Sequence, residues 1–168
     1  MDKEIIKSMR QAIKQGDLVS VKKMLEDDKE LIDAITPFGT WLQVASTQGK
    51  LDIVKYLLEC GMDVNRSGGM SDGGPIKSAA FKGYLDIVKL LYENGAVLEV
   101  SEATKNPLFA AIYNGHIDVV RFLVENGIEL EVYYAMGDLE KVDAYEYARQ
   151  YGQTEIANYL KEKMETNM

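Results

Sequence analysis

The sequence has very few of the residues on which catalytic and metal sites are usually built. Among 168 residues there is one histidine, His116, and one cysteine, Cys60. A single cysteine excludes an intrachain disulfide. One histidine and one cysteine are too few for a structural zinc site, which uses several His and Cys ligands. No nucleophile and base set can use more than this one imidazole. We therefore expect a protein that is not an enzyme and that binds no metal or cofactor.

Long hydrophobic runs and a targeting signal are also lacking. No stretch of about 18 consecutive apolar residues occurs, as a membrane-spanning helix would need. The first residues, Met1 to Glu4, are polar and do not begin a signal peptide. These absences predict no membrane contact and a cytoplasmic location. With 46% hydrophobic residues, residues 1–168 have the composition of a single globular domain.

Positive charge is scarce. The chain has 19 Lys and Arg against 27 Asp and Glu, which gives a net charge of −8. Residues 128–168 alone carry nine acidic and four basic side chains, a net charge of −5. Direct binding of nucleic acid is disfavoured, because it needs clustered cations. The acidity favours a basic protein partner; the alternative is a solvated acidic surface that only aids solubility.

What the sequence does contain is one unit, repeated. Residues 40–61, 74–95 and 106–127 align without a gap. In each segment one glycine lies nine positions after the start and a second lies twelve positions later. The three glycine pairs are Gly49 and Gly61, Gly83 and Gly95, and Gly115 and Gly127.

Each unit has the pattern of two short helices. Small alanines in its first half, such as Ala79 and Ala80, allow two helices to approach closely, and a glycine then ends the first helix. The second half, for example Leu51 to Glu59, has apolar residues at helical spacing and an acidic residue in its first turn. Weaker copies of the unit precede and follow the three clear ones.

These residues resemble the ankyrin repeat, whose pattern TPLHxAAxxGH recurs roughly every 33 residues. The motifs that carry the resemblance are Pro75-Ile76, Ala79-Ala80, Asn106-Pro107-Leu108, Gly115-His116 and Asp63-Val64-Asn65. One departure is the histidine of TPLH, which is replaced by Gln43, Lys77 and Phe109. The hydroxyl-to-imidazole bond of the family is therefore missing, and we expect modest stability or substitute packing.

The resemblance implies an all-α, ankyrin-repeat solenoid of five helix-turn-helix repeats, three full and two capping, with short hairpin fingers. The last finger is enlarged, since 16 positions separate Gly127 from Asp143, against 13 and 11 at the two preceding connections. The expected boundaries are a capping repeat at about 3–34, repeats at about 35–66, 67–100 and 101–132, the enlarged finger at 128–142, and a capping repeat at about 143–163.

The resemblance also implies where a partner protein binds, namely the concave groove and the fingers. The positions that match the groove are Gln48, Phe81, Lys82, Tyr113, Asn114 and Tyr151. Trp41, Tyr133 and Tyr134 extend this aromatic strip, and Met70 lies on a finger. Acidic residues ring it, among them Asp72, Glu102 and Glu131. The alternative for Phe81 and Tyr113 is packing against a neighbouring repeat.

The function that the resemblance implies is protein binding without catalysis. Small acidic ankyrin proteins resemble the immunity proteins of bacterial toxin systems, so the favoured expectation is a monomer that neutralises a cognate, basic toxin domain. The alternative is a constitutive scaffold or regulatory subunit that recruits an enzyme or a transcription factor.

Overall fold

The structure is a computed structural model that describes residues 2–70 and 73–166. Within these ranges the chain forms ten α-helices, which follow one another as five pairs. Their bounds are α1 Lys3–Gln15, α2 Leu18–Asp27, α3 Trp41–Thr47, α4 Leu51–Glu59, α5 Pro75–Lys82, α6 Leu85–Glu93, α7 Pro107–Tyr113, α8 Ile117–Glu125, α9 Ala144–Gln150 and α10 Thr154–Thr166.

The helices form two layers. The first helices of successive pairs (α1, α3, α5, α7, α9) pack side by side, and so do the second helices (α2, α4, α6, α8, α10). One hydrophobic core lies between the layers and extends from Met9 in α1 to Leu160 in α10. The predicted all-α solenoid of five helix-turn-helix repeats is confirmed.

Local sequence signals set where the helices begin. The Thr40 hydroxyl accepts a hydrogen bond from the Gln43 amide N–H, and the Gln43 side chain accepts one from the Thr40 N–H, which is a capping box at the start of α3. Proline occupies the first turn of α5 and α7, where its missing N–H costs nothing. The second helices α4, α6 and α8 each carry an aspartate in the first turn, which interacts favourably with the helix dipole.

Short strand pairs form the first and the last connection between repeats. The strands β1 (Ile35–Thr36) and β2 (Gly39–Thr40) pair antiparallel after a short 3₁₀ helix, Lys29–Asp33. In the enlarged finger, β3 (Tyr134–Met136) pairs with β4 (Leu139–Val142), with an irregular register between Tyr134 and Met136. The enlarged finger therefore contains a hairpin of its own.

The residue that follows the first glycine of each repeat covers the glycine of the preceding repeat. A Cβ placed on Gly49 would lie 2.6 Å from the Tyr84 ring, and one on Gly83 would lie 2.5 Å from the His116 ring. Gln153 covers Gly115 in the same way, at 2.7 Å, whereas Lys50 lies 3.6 Å from a Cβ placed on Gly16, an ordinary contact distance. The repeats therefore stack through a contact that leaves no room for a side chain at Gly49, Gly83 or Gly115.

A substitute exists for the hydrogen bond that the TPLH histidine would have made. In addition to its part in the capping box, the Gln43 side chain donates from Nε2 to the carbonyl oxygen of Gly73, 3.0 Å away in the next repeat. Asn65 joins the following junction, since its Nδ2 donates to the Gly95 carbonyl and its Oδ1 accepts from the Val97 N–H. Side-chain amides thus connect neighbouring repeats at these two junctions.

None of the helices within 2–70 and 73–166 is both long and apolar enough to cross a bilayer. The longest of them, α1 and α10, have 13 residues each. At a rise of about 1.5 Å per residue they extend roughly 20 Å, which is shorter than the hydrocarbon layer of about 30 Å.

Candidate functional site

The C-terminal ends of the first helices lie side by side and place their last side chains on one surface, which we call the groove. Small alanines in the middle of α5 and α7 are buried and bring these helices together. The ring of Phe81, near the end of α5, stacks on that of Tyr113 at the end of α7, with 5.9 Å between the ring centres. Tyr113 in turn lies 4.9 Å from Tyr151, which follows α9.

These rings belong to a longer chain of contacts, the aromatic ladder. Tyr151 contacts Tyr147 at 4.7 Å, Tyr147 stacks on Phe109 at 4.6 Å, and Phe109 meets the edge of Tyr134 at 4.9 Å, all between ring centres. The ladder is the set Phe81, Tyr113, Tyr151, Tyr147, Phe109 and Tyr134. It joins the third, fourth and fifth repeats to the enlarged finger.

Exposure divides the ladder into a buried part and an open part. Phe109 is buried, whereas Tyr113 and Tyr151 remain 45% and 47% exposed. Burial raises the pKa of the Tyr147 phenol, and the neighbouring Tyr151 adds to the effect. The inner rings therefore hold the position of the outer ones, which present an aromatic surface to the solvent.

Two depressions lie along the groove and share Lys77 and Thr104 at their rims. The first, of about 250 Å³, is lined by ladder residues, among them Phe81, Phe109, Tyr113 and Tyr147. The second, of about 510 Å³, lies toward the N-terminal repeats. Its lining includes Arg10, Phe38, Val44, Gln48 and Met70. The groove therefore runs from the β1–β2 connection to Tyr151.

The charged side chains at the groove are basic. The Arg10 guanidinium carbon lies 4.1 Å from the centre of the Phe38 ring. The ammonium groups of Lys77 and Lys82 lie 5.9 Å and 5.5 Å from the centre of the Phe81 ring. No Asp or Glu is among the described residues that line either depression.

The acidic residues predicted around the groove have different surroundings. Glu102 forms a salt bridge of 2.5 Å with Lys105. Glu131 lines a separate hollow of about 420 Å³, together with Tyr133 and Met164. Asp72 lies outside the described residues. Neither Glu102 nor Glu131 lines either of the two groove depressions.

Trp41 is buried and does not belong to the groove surface. Its predicted place on the exposed aromatic strip is wrong, because its side chain is 0% exposed and belongs to the core. The reason is its position as the first residue of α3, directly after the Thr40 cap, where a large apolar ring gains most by burial between the layers. Trp41 stabilises the fold and has no surface to offer a partner.

The neighbouring tyrosines of the enlarged finger have different surroundings. Tyr134 contacts the ladder, and its hydroxyl donates to the Val100 carbonyl at 2.6 Å and accepts from Asn106 Nδ2 at 3.0 Å. Burial raises the pKa of the Tyr134 phenol. Tyr133 is exposed at the hollow that also contains Glu131. Tyr134 therefore connects the finger to the preceding one, and Tyr133 is not part of the ladder.

The remaining predicted residues lie on or beside the groove. Gln48 and Met70 line the second depression, and Met70 is 82% exposed. Lys82 lies next to the Phe81 ring. The exposed Asn114 donates from Nδ2 to the Phe81 carbonyl at 2.8 Å, which links two repeats at the groove edge.

Sequence reasoning missed Arg10, Phe38 and Phe109 as groove residues. Phe38 lies in the two-residue turn between β1 and β2, outside the positions that the repeat pattern assigns to the groove. Phe109 occupies a position read only as a replaced histidine. Arg10 lies in α1, in the weak first copy of the repeat, where the pattern indicates no groove position.

The described side chains of the groove offer contact surface for a partner. No group of three or more His, Cys, Asp or Glu side chains there is placed to hold a metal ion. Nε2 of His116 lies 3.2 Å from the Phe81 carbonyl oxygen, so the imidazole joins two repeats. Cys60 neighbours Tyr56, whose pKa is raised to about 12 by its hydrogen bond to this thiol and by burial.

Comparison with known proteins gives matches in the repeats. A family model described as ankyrin repeats (3 copies) matches residues 9–102 and 76–168. A palmitoyltransferase AKR1 of Lachancea kluyveri is 38% identical over 96 residues, which is 55% of this chain and 13% of that protein. The corresponding protein of Kluyveromyces lactis is 30% identical over 104 residues, 59% of this chain and 14% of that protein.

A serine/threonine-protein kinase VIK of Arabidopsis thaliana is 46% identical over 56 residues, which is 30% of this chain and 12% of the kinase. The matched segment is thus a small part of each of these three relatives. The family model, in contrast, covers nearly the whole chain, and the repeats it describes serve in protein–protein interaction. The chain belongs to the ankyrin-repeat family.

Proposed function

We propose that this chain is a non-catalytic module whose groove binds a segment of one partner protein. The observation that carries the proposal is the ladder, in which Tyr113 and Tyr151 contact each other and still keep 45% and 47% of their surface exposed. Tyrosine supplies large contact area at low entropic cost and is enriched among the residues that dominate interface energies. Rings held by inner neighbours are already ordered, so little entropy is lost on binding.

Site-specific photo-crosslinking tests this proposal. A photoreactive phenylalanine analogue is introduced at Tyr113 in one variant and at Tyr133 in a matched variant, and both are irradiated in host cells. We expect one defined protein adduct from position 113 and none of that adduct from position 133. The opposite pattern, or equal yield of the same adduct at both positions, would show that the partner binds elsewhere.

Whether binding silences the partner or recruits it is a second question. Neutralisation of a toxin domain remains the prediction from the sequence. The relatives favour the alternative, because a palmitoyltransferase and a protein kinase carry similar repeats as a minor part of much longer proteins. We therefore propose that the chain acts as an adaptor or regulatory subunit, and that neutralisation is the competing role.

The two roles differ in what happens to the partner's activity. The crosslinked partner is purified and assayed with increasing amounts of the wild-type chain and of a variant carrying Tyr113→Ala and Tyr151→Ala. An adaptor leaves the activity of the partner intact or redirects it at saturation, whereas a neutralising protein abolishes it in proportion to complex formed. Full inhibition by the wild-type chain and none by the variant would replace the adaptor role with neutralisation.

We expect the isolated chain to be a monomer, and light scattering measures its mass in solution.

A further inference from the structure

We propose that the partner segment held in the groove is acidic and carries a large apolar side chain next to its carboxylates. This inference rests on the proposed function and adds the chemistry of the ligand. It reverses the expectation from the net charge of −8, which favoured a basic partner. The reason is that the groove and the whole molecule differ in the sign of their charge.

Basic side chains lie at the groove. Arg10 and Lys82 are exposed, and each lies over an aromatic ring of the groove, Phe38 and Phe81 respectively. Lys77 lies at the rim that the two depressions share. Arg10 lines the second depression, so an anionic segment that binds there meets attraction.

Aromatic rings contact the side chains of Arg10 and Lys82. Within residues 2–70 and 73–166, neither Arg10 nor Lys82 forms a salt bridge. The face of the Phe38 ring orients the guanidinium of Arg10 by a cation–π contact of 4.1 Å. A guanidinium held in this way keeps its N–H donors at its edge, where a carboxylate accepts two of them in parallel.

The second depression can bind the large apolar side chain of the partner segment, which we call the anchor. The second depression, of about 510 Å³, is lined by Phe38, Val44 and Met70 as well as by Arg10. Phe38 and Met70 are 41% and 82% exposed, so burying them under an aromatic or long aliphatic side chain is favourable. Because Arg10 borders the same depression, the residue that binds it is a carboxylate adjacent to the anchor.

Three described acidic residues, Glu99, Glu102 and Glu131, do not line the two groove depressions. Glu102 forms a salt bridge with Lys105 at the surface. Glu99 accepts a hydrogen bond from the Ser101 N–H, which lowers the pKa of its carboxyl, and it lines another hollow with Val97. Glu131 lies at the hollow near Met164. Glu99 and Glu131 therefore line hollows other than the two groove depressions.

Selection from a displayed library of random peptides on the full wild-type chain tests the proposal. The selected peptides are measured against a variant with Arg10→Glu and Lys82→Glu. A matched control has Lys23→Glu and Lys55→Glu, which make the same change of charge on the second helices α2 and α4. Circular dichroism verifies that both variants are folded.

We expect the selected peptides to be rich in Asp and Glu around one aromatic or aliphatic residue. Their affinity for the Arg10→Glu, Lys82→Glu variant should fall by roughly tenfold or more, and affinity for the control should change much less. Binding to the wild type should weaken with added salt. Peptides in which the acidic residues are replaced by lysine should regain affinity for the charge-reversed variant.

Selection of basic or uncharged peptides would overturn the inference, and so would enrichment of no peptide or equal binding to both charge variants. The Tyr113→Ala, Tyr151→Ala variant separates this failure from failure of the proposed function. Basic peptides that lose affinity for that variant would leave the groove as the binding site and remove only the acidic ligand. Peptides that bind the Tyr113→Ala, Tyr151→Ala variant as tightly as they bind the wild type would show that the groove is not the binding site.

Discussion

The imidazole of His116 lies directly over Gly83 of the preceding repeat. A Cβ at Gly83 would be 2.5 Å from Nδ1, and Nε2 of the same ring is 3.2 Å from the carbonyl oxygen of Phe81. Gly83 also has a φ of 75°, in the left-handed region that side chains disfavour. A single ring therefore fixes the spacing between two repeats at the point where Phe81 enters the groove.

Substitution of Gly83 should destabilise the protein for two separable reasons. Gly83→Ala adds the cost of a positive φ, about 1 to 2 kcal/mol, and the cost of displacing His116, a further ~1 to 3 kcal/mol. Gly95→Ala is the matched control, because Gly95 has a φ of 87° and nothing within 4 Å of its Cβ position among the described residues. Urea unfolding of both variants measures the difference; equal losses would show that the ring moves aside freely.

Replacement of Gln43 tests whether this amide is the substitute for the missing histidine. Gln43→Ala removes the hydrogen bonds to the Thr40 N–H and the Gly73 carbonyl, and we expect a loss of about 1 to 3 kcal/mol because both partners lie in a buried region. Gln43→His restores the residue of the ankyrin pattern and should retain more stability than the alanine. Thermal unfolding compares them, and a histidine variant no better than alanine would contradict this role.

The core leucines of the second helices should be among the most sensitive positions. Leu57 in α4 and Leu91 in α6 are fully buried, so truncation to alanine leaves a cavity and costs roughly 2 to 5 kcal/mol. Leu139 in β4 is half exposed, and Leu139→Ala should have a much smaller effect. Chemical denaturation gives the three values, and similar losses at all positions would contradict the two-layer core.

Stability should fall at alkaline pH. Burial, and next the neighbouring Tyr151, raise the pKa of Tyr147 above 10.0, so the folded chain keeps a proton that the unfolded chain releases. This stabilisation is therefore complete below about pH 10 and is lost as the pH rises from there toward the folded pKa. Tyr147→Phe keeps the ring and removes the titration. Denaturation at about pH 8 and about pH 11 should show a smaller loss for the variant; an unchanged loss would place the effect elsewhere.

The period of the repeats could be predicted from the sequence because it depends on local residue types. Glycines at fixed spacing and the apolar pattern of Leu51 to Glu59 determine where helices begin and end, and α4 has those bounds. The aromatic contact between Phe81 and Tyr113 follows from equivalent positions in neighbouring repeats. These features repeat along the chain, so one copy informs the next.

The features that could not be predicted depend on how unlike segments meet. Trp41 is buried because the first turn of α3 faces the core, which its position in the motif did not reveal. Tyr133 and Tyr134 are neighbours in sequence but contact different surroundings, as successive side chains of an extended segment do. The sign of charge in the groove depends on Arg10, which comes from a repeat distant in sequence from Lys82.

The residues that cover the glycines, Lys50, Tyr84, His116 and Gln153, differ in charge, size and aromaticity, although each occupies the same place at its junction. The junction thus demands a shape and tolerates many chemistries. An internal repeat can be duplicated or exchanged without changes throughout the array, because each junction involves only the two adjacent repeats. Recognition can then diversify along the array while its architecture is inherited unchanged.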